Sequence, residues 1–466
     1  MSDTLMISVS GIRGHVGTDL TPELVARYAA ALGAWSRSAP SVRHRPAGGH
    51  PARPTVVLGR DARTSGPMFA HAAAAGLMSV GVDVIDLGMV PTPTVQLAVE
   101  HHRAGAGLIL TASHNPVEWN ALKFVGPDGI FLDAEAGRVV RELVEKGLPR
   151  AGWADVGQIR EDPEALSRHL GAVLALPLID VDAIRKRGFK VALDCVRGAG
   201  APAILPLLER LNCRVHGINL ETDGRFPRPP EPVPENLGDL SRLVRDTKAD
   251  VGLAVDPDVD RLALVDETGR AIGEDYTLAF AVKAVLDGRI TAADVPTVVV
   301  NLSTSLVVED AARARGARLV RAPVGEANVA RAIRDERALI GGEGNGGVML
   351  PALHIGRDAP LGVALILHLL AVSGVTLSQL VAAAPRYTIV KAKGPRGADL
   401  RQLYDRLRDR FPDATADERD GLRLAWQDRW LHVRPSGTEP IVRLIAEAPT
   451  AADAEALVAT GRELLY

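Results

Sequence analysis

One order of pattern types recurs three times along the chain, and it restricts the fold more than any other feature. In each copy an apolar strand leads into a helical segment and a second strand. A third apolar strand then runs into a polar loop. The first copy reads TVVLGRD, FAHAAAAGLM, VDVIDLG and GLILTASHNP. The second reads KVALDCVRG, PAILPLLERL, RVHGINL and VGLAVDPDVDR, and the third TVVVNLSTS, VVEDAARARG, RLVRAPVG and ALIGGEGNGG. Residue identities do not repeat strongly, so the recurrence lies in the periodicity. Strands alternating with helical patterns predict α/β units, here three similar α/β domains in series. Open α/β sheets bind ligands beyond the carboxyl ends of their strands. Three such loops meeting in one cleft would make one composite site.

After the third copy the pattern changes. YTIVKAKG reads as a strand and ADLRQLYDRLRDRF as an amphipathic helix. GLRLAWQDRWLHVRPSGTEPIVRLIAEA reads as strands around one loop, and AADAEALVATGRELL as a closing helix. A fourth, smaller α+β domain is therefore expected. The expected boundaries are 1–150, 151–268, 269–375 and 376–466. A length of 466 residues agrees with several domains. Aromatics are only 4% against 47% hydrophobic residues, so the cores must be aliphatic. Lys+Arg 54 against Asp+Glu 57 gives no support for a nucleic-acid or anionic-membrane partner. Cys195 and Cys213 form no metal-type cluster and suit a reducing compartment. MSDTLMISVS lacks a basic region followed by a long apolar core, so no signal peptide is expected, and no stretch reaches a membrane span. A soluble cytoplasmic protein is the expectation. Residues 41–54, SVRHRPAGGHPARP, read as an exposed basic insertion in the first domain.

Each loop carries its own chemistry. In LAVDPDVDRLALVDE, Asp256, Asp258 and Asp260 alternate, so an extended segment sends their side chains off one face. Three close carboxylates repel unless a cation sits between them, and magnesium prefers oxygen ligands shared with a phosphate. Glu267 stands where an EF-hand loop would close, but Arg261 occupies the position that needs glycine and LALV reads as a strand. A haloacid-dehalogenase-type phosphatase also places Asp-x-Asp after an apolar strand, and a solvated acidic turn is the plain alternative. In VRPSGTEPIVR, Arg434, Ser436, Gly437 and Thr438 combine a guanidinium, two hydroxyls and a bare backbone N–H, a nest suited to phosphate, with Arg443 close in sequence. Taken alone, Pro-Ser-Gly-Thr is also an ordinary turn. GGEGNGGV contains a G-x-G-x-x-G, but Pro351 would break the helix that a dinucleotide fingerprint must open. Glu343 and Asn345 among glycines suit a ligand rich in hydroxyls.

SVSGIRG and GRDARTSG place Arg13, Arg60 and Arg63 near strand ends, where a surface arginine is the commoner case. Ser113 follows a strand but lacks G-x-S-x-G, and no P-loop occurs. Adjacent side chains on an extended chain point apart, so a Ser113–His114 pair is not expected.

The four loops, in this order, resemble the α-D-phosphohexomutase family over essentially the whole chain. TASHNP resembles its phosphoserine loop, DPDVDR its magnesium loop, GEGNGG its sugar loop and RPSGTEP its phosphate loop. The resemblance implies four domains around a central cleft, the last similar to a TATA-binding-protein fold. It implies that Ser113 carries a phosphoryl group and that Asp256, Asp258 and Asp260, with a phosphoserine oxygen, hold Mg2+. Arg13, His114, Lys123 and Arg261 would surround the transferring phosphoryl. Glu343 and Asn345 would bind sugar hydroxyls, and Arg434, Ser436, Gly437 and Thr438, joined by Arg443, the non-reacting phosphate. The implied reaction interconverts hexose 6-phosphate and hexose 1-phosphate through a hexose 1,6-bisphosphate. The short SVSGIRG start with VGEAN and GEGNGG looks most like phosphoglucosamine mutases, with phosphomannomutase/phosphoglucomutase as runner-up. A magnesium-dependent sugar phosphatase and a non-catalytic sugar-phosphate sensor are the competing classes. Many relatives end the sugar loop in histidine where this chain has Gly347, so the general base is open between Lys123, His114 and, as a substitute, His354 in LHIGRDA. Oligomeric state is not legible.

Overall fold

A computed structural model describes residues 5–8, 11–37, 53–288, 295–395, 399–436 and 441–465. Most of the 41–54 insertion, and Gly437 and Thr438, lie outside the described residues.

The recurrence becomes a repeated strand order. In the first unit Thr55–Arg60 lies between Asp83–Met89 and Ala106–Leu110, parallel to both, and Trp119–Val125 returns antiparallel to Ala106–Leu110. In the second, Lys190–Asp194 lies between Arg214–Ile218 and Val251–Val255, with Leu262–Val265 returning antiparallel. In the third, Thr297–Asn301 lies between Arg318–Ala322 and Ile340–Glu343, with Gly347–Met349 returning. Each sheet is therefore mixed: three parallel strands and a hairpin partner. The first sheet is longer. Met6–Ser8 and Gly11–His15 extend it beyond Trp119–Val125, and Ile159–Glu161 adds a strand at the other edge.

The third strand of each unit leads into one of the polar loops. Ala106–Leu110, Val251–Val255 and Ile340–Glu343 are buried along their whole length, as a strand covered on both faces must be. In the first unit Val56 and Leu58 of Thr55–Arg60 face one core while Val57 faces another, the period of two that a two-sided sheet imposes. Between the second and third units the core is continuous. The helix Ala359–Ser373 is buried in one cluster with Val191 and Leu193 of one sheet and Val298 and Ile340 of the other.

The last domain is a five-stranded antiparallel sheet, ordered Thr388–Pro395, Ile441–Ala448, Trp430–Pro435, Leu422–Ala425, Thr415–Asp417. Helices Leu400–Arg410 and Ala451–Leu465 supply Leu403, Leu407, Leu457 and Val458 to its core. No single helix among the described residues is long and apolar enough to cross a membrane.

Candidate active site

Ser113 lies just past the buried strand Ala106–Leu110, and its backbone turns into the left-handed region at φ 49°. The turn is fixed by polar contacts. The Ser113 N–H donates to Thr111 Oγ1 at 2.9 Å, and the Thr111 hydroxyl donates to Asp61 Oδ2 at 2.7 Å. Arg63 spans the loop: its guanidinium donates to the carbonyls of Ser113, Asn115, Pro116 and Trp119 at 2.6–2.8 Å and pairs with Asp61. Arg63 is buried rather than the surface arginine that its type suggests. The left-handed turn also corrects the expectation for the adjacent histidine. Because the chain is not extended at residue 113, His114 Nδ1 comes within 3.3 Å of Ser113 Oγ.

The Ser113 hydroxyl crosses to the second unit, donating to Asp256 Oδ2 at 2.9 Å. Asp256, Asp258 and Asp260 follow the strand Val251–Val255, and each offers a carboxylate oxygen within 4.8 Å of the others. Lys123 Nζ donates to Asp258 Oδ2 at 2.7 Å and lies 3.9 Å from Asp260. Thr92 Oγ1 donates to the same Asp258 oxygen at 2.8 Å. Burial pushes Asp256 well above the usual carboxylate range, reinforced by the charges of Asp260 and Asp258. Burial opposes charge at Asp258 too, but the Lys123 ammonium and hydrogen bonds from Asp256, Lys123 and Thr92 hold it below its ordinary range. Two buried oxygens, Asp258 Oδ1 and Asp260 Oδ1, have no hydrogen-bond partner. Hard oxygen donors without hydrogen bonds, in a buried set of three carboxylates, fit a divalent cation such as Mg2+.

Two arginines act on His114, the neighbour of Ser113. Arg13, on Gly11–His15, donates to Asn115 Oδ1 at 3.1 Å. Gly11 must be glycine there, because a Cβ would meet the Leu122 carbonyl oxygen of the neighbouring strand at 1.8 Å. Arg261 lies 3.7 Å from Asp260 and 3.4 Å from Glu231. Arg261, then burial, then Arg13 hold the His114 imidazole well below its ordinary pKa, so it is neutral near pH 7. Burial, then Arg261, lowers Arg13 as well. The Arg261 charge opposes that of Arg13, so this cluster suits an anion.

The sugar-loop candidates lie in the third unit. Glu343 ends the strand Ile340–Glu343 and is buried. Its Oε1 accepts from Asn301 Nδ2 at 2.9 Å and from the Gly325 N–H at 3.1 Å. Asn345 Oδ1 accepts from the Gly347 N–H at 3.3 Å. Arg357, which sequence reasoning did not single out, joins Glu343, Asp260 and Glu326 at 2.6–3.0 Å. His354 is buried one turn away, its Nε2 on Asp358 Oδ2 at 2.9 Å, and that same oxygen meets His169 Nε2 at 2.8 Å. It therefore belongs to a packed junction of the second and third units.

In the last domain Arg434 and Arg443 face each other across adjacent strands, and Ser436 N–H donates to the Ile441 carbonyl at 2.9 Å. Arg434 pairs with Asp420 at 2.9 Å. The signal for Arg63 and Arg357 was present only as isolated arginines after GRDA and HIG. Neither residue type nor spacing shows that a guanidinium is buried.

Comparison with known proteins covers nearly the whole chain. The phosphoglucomutase/phosphomannomutase models for alpha/beta/alpha domains I, II and III match residues 5–150, 167–269 and 273–387. The C-terminal domain model of the same group matches 390–463. A relative from Methanopyrus kandleri named "Probable phosphoglucosamine mutase" is 38% identical, spanning 94% of this chain and 93% of the relative. A Thermococcus kodakarensis relative named phosphoglucomutase/phosphomannomutase is 36% identical, spanning 98% and 97%. Among solved structures, a phosphoglucomutase/phosphomannomutase family protein from Burkholderia thailandensis superposes with a TM-score of 0.84 at 26% identity, covering 99% of this chain and 96% of that one.

Proposed function

The chain belongs to the phosphoglucomutase/phosphomannomutase family, and on that premise we propose that it is a phosphohexomutase converting glucosamine 6-phosphate to glucosamine 1-phosphate. The observation that carries this reading is the Ser113 hydroxyl donating to Asp256 at 2.9 Å, with Arg13, Arg261 and His114 grouped beside it. A phosphatase built on the acidic trio alone would have no use for a serine held there.

In the working enzyme Ser113 is phosphorylated. The bond between its Oγ and phosphorus breaks as a new bond forms from phosphorus to the free C1 hydroxyl of the sugar 6-phosphate. One proton leaves that hydroxyl and one reaches Ser113 Oγ; His114, 3.3 Å from that oxygen, and Lys123 are placed for these transfers. The hexose 1,6-bisphosphate turns in the cleft and returns its other phosphoryl to Ser113, so the net change moves phosphate from C6 to C1. Asp256, Asp258 and Asp260, with a phosphoserine oxygen, would hold Mg2+, which supplies charge neutralisation at the phosphoryl oxygens. Arg13 and Arg261 add fixed positive charge, a preorganised form of the same stabilisation. Glu343 and Asn345 orient the sugar. Arg434, Ser436, Gly437 and Thr438, with Arg443, hold whichever phosphate is not reacting, since the two ends of the bisphosphate present the same group.

Intact mass and turnover test this together. Purified protein is expected to contain a species heavier by one phosphate that disappears in Ser113→Ala, along with isomerase activity. Of glucosamine, mannose and glucose 6-phosphates, the first is expected to give the highest kcat/KM. The relative named phosphoglucomutase/phosphomannomutase supports the second reading, which higher kcat/KM for mannose or glucose 6-phosphate would establish. Release of free phosphate faster than isomerisation would replace both by a phosphatase.

A further inference from the structure

The sugar loop ends at Gly347, which pairs with Glu343 across the hairpin. That glycine is not merely a flexible residue. A Cβ built on it would lie 2.2 Å from Arg357 Cδ and 2.7 Å from its Cγ. These are mid-stem atoms, so the Arg357 side chain fills the space that a side chain at position 347 would need. Its guanidinium then reaches three carboxylates from three segments. NH1 donates to Glu343 Oε2 at 3.0 Å, NH2 to Asp260 Oδ2 at 2.6 Å, and Nε lies 3.0 Å from Glu326 Oε2. The Arg357 backbone N–H also donates to Glu326 Oε1 at 3.3 Å. The arginine fork donates to Glu343 and Asp260 at once and keeps Nε beside Glu326 as an ion pair; a lysine ammonium is a point charge without that fork.

We propose that Arg357 is a positioning residue that locks the sugar-loop carboxylate Glu343 to the metal-loop carboxylate Asp260, and that position 347 is glycine in order to admit it. This rests on the mutase reading above and deepens it. Two consequences follow for the site. Asp260 has Oδ2 engaged by Arg357 and leaves Oδ1, which has no hydrogen-bond partner, to face a cation. Glu343 already accepts from Asn301, the Gly325 N–H and Arg357, so of about four lone-pair positions on a carboxylate it keeps one for a sugar hydroxyl or amine. The sugar is thereby read at a fixed distance from the metal loop, and a residue far smaller than histidine at position 347 is compensated from Arg357.

Binding without turnover isolates this role. Calorimetry of glucosamine 6-phosphate with the full-length Ser113→Ala protein gives the reference Kd. Adding Arg357→Ala is expected to weaken it about 10- to 100-fold, the usual effect of removing a group that orients a ligand residue. Arg357→Lys is expected to recover little of this. Gly347→Ala, which leaves Arg357 in place but evicts its stem, is expected to lose a similar factor. Combining Gly347→Ala with Arg357→Ala is expected to lose no more than Arg357→Ala alone. On the Ser113-intact enzyme the same changes are expected to appear mainly in KM. Independent, multiplying losses from the two substitutions overturn the proposal. So does unchanged Kd, or a lower melting temperature with Kd and KM intact. If the Ser113→Ala protein binds no hexose phosphate and the wild type interconverts none, the mutase reading itself falls. If the wild type isomerises hexose phosphates and Arg357→Ala binds as tightly as its parent, only the positioning role fails.

Discussion

Ser113 holds a backbone conformation that costs a non-glycine residue about 1–2 kcal/mol, and Arg63 is what keeps it there. Four carbonyls, those of Ser113, Asn115, Pro116 and Trp119, converge on one guanidinium whose charge is balanced by Asp61. The Phe226 ring lies 5.0 Å from the guanidinium carbon, which brings the second unit against the same anchor. A reaction that depends on phosphoryl position tolerates little displacement, since about 1 Å can cost 10²-fold in rate. Arg63→Lys keeps the charge but loses the planar fork. It is expected to lower kcat by about 10²-fold, with KM for the sugar phosphate little changed because Arg63 touches the loop and not the sugar. Steady-state kinetics decide it; near-wild-type kcat in the lysine variant would show that charge alone suffices. This anchor was hidden in the sequence, where GRDARTSG looks like any polar turn. What makes Arg63 matter is that four carbonyls of a loop some fifty residues away point inward, and no local pattern encodes that.

At the level of elements the sequence was more informative. Fully buried third strands are apolar until their ends, so AGLIL, VGLAV and IGG stand out, and the first polar residue of each, Thr111, Asp256 and Glu343, marks the strand end that leads into a loop. The strand order inside each sheet was not legible, because parallel neighbours are chosen by helix packing rather than by the strand's own residues. The same limit hid the role of His354. A lone histidine in LHIGRDA is more often structural than a base, and the sequence alone does not show which. In the fold it packs at a helix start: the N-terminus of the helix Ala359–Ser373 is capped by Asp358, whose Oδ1 accepts from the Leu361 N–H at 2.9 Å while Oδ2 takes both His354 and His169. Thr94 Oγ1, from the first unit, meets the other His169 nitrogen at 2.9 Å. One carboxylate therefore caps a helix and closes a junction of three units. Asp358→Ala removes a cap worth about 0.5–2 kcal/mol and leaves buried imidazole N–H groups unsatisfied at about 1–3 kcal/mol. A destabilisation of about 2–4 kcal/mol is expected in urea titration followed by circular dichroism. His354→Ala is expected to reduce stability too, while kcat stays within about twofold of wild type. A kcat collapse in a well-folded His354→Ala enzyme would instead return that histidine to the chemistry.

Across the whole molecule the site is closed by polar contacts that pass from unit to unit. Asp260 meets Arg357, Arg357 meets Glu343, and Glu343 accepts from the Gly325 N–H. The next residue back, Val324, donates its N–H to Asp420 of the last domain at 3.0 Å, and Asp420 holds Arg434. The strands that flank the proposed phosphate loop are pinned to the third unit beside these contacts. Glu447 accepts from the Leu306 N–H at 2.8 Å and from Trp430 Nε1 at 2.6 Å, and His432 bridges Ser303 Oγ at 2.8 Å and the Asp420 carbonyl at 2.7 Å. That carbonyl can only accept, so Nε2 of His432 carries the proton and Nδ1 accepts from the Ser303 hydroxyl. A second proton on the ring would turn the Ser303 hydroxyl from donor to acceptor and place a charge inside a buried junction. Burial accordingly lowers the His432 pKa to about 4, against about 6.5 in an unfolded chain. Between those values the unfolded state binds a proton that the folded state refuses. Stability must therefore fall as pH drops from about 6.5 toward about 4. Going from pH 7 to pH 5 spans roughly 1.5 units of that window, or about 2 kcal/mol. His432→Gln carries no such linkage. Urea midpoints at pH 7 and pH 5, read from the tryptophan fluorescence that Trp430 and Trp426 bring to this domain, are expected to shift less in the variant than in the wild type. An equal shift in both proteins would mean that His432 takes up its proton as readily in the fold as in the unfolded chain, and that burial at the junction of the third and last units does not hold its pKa down.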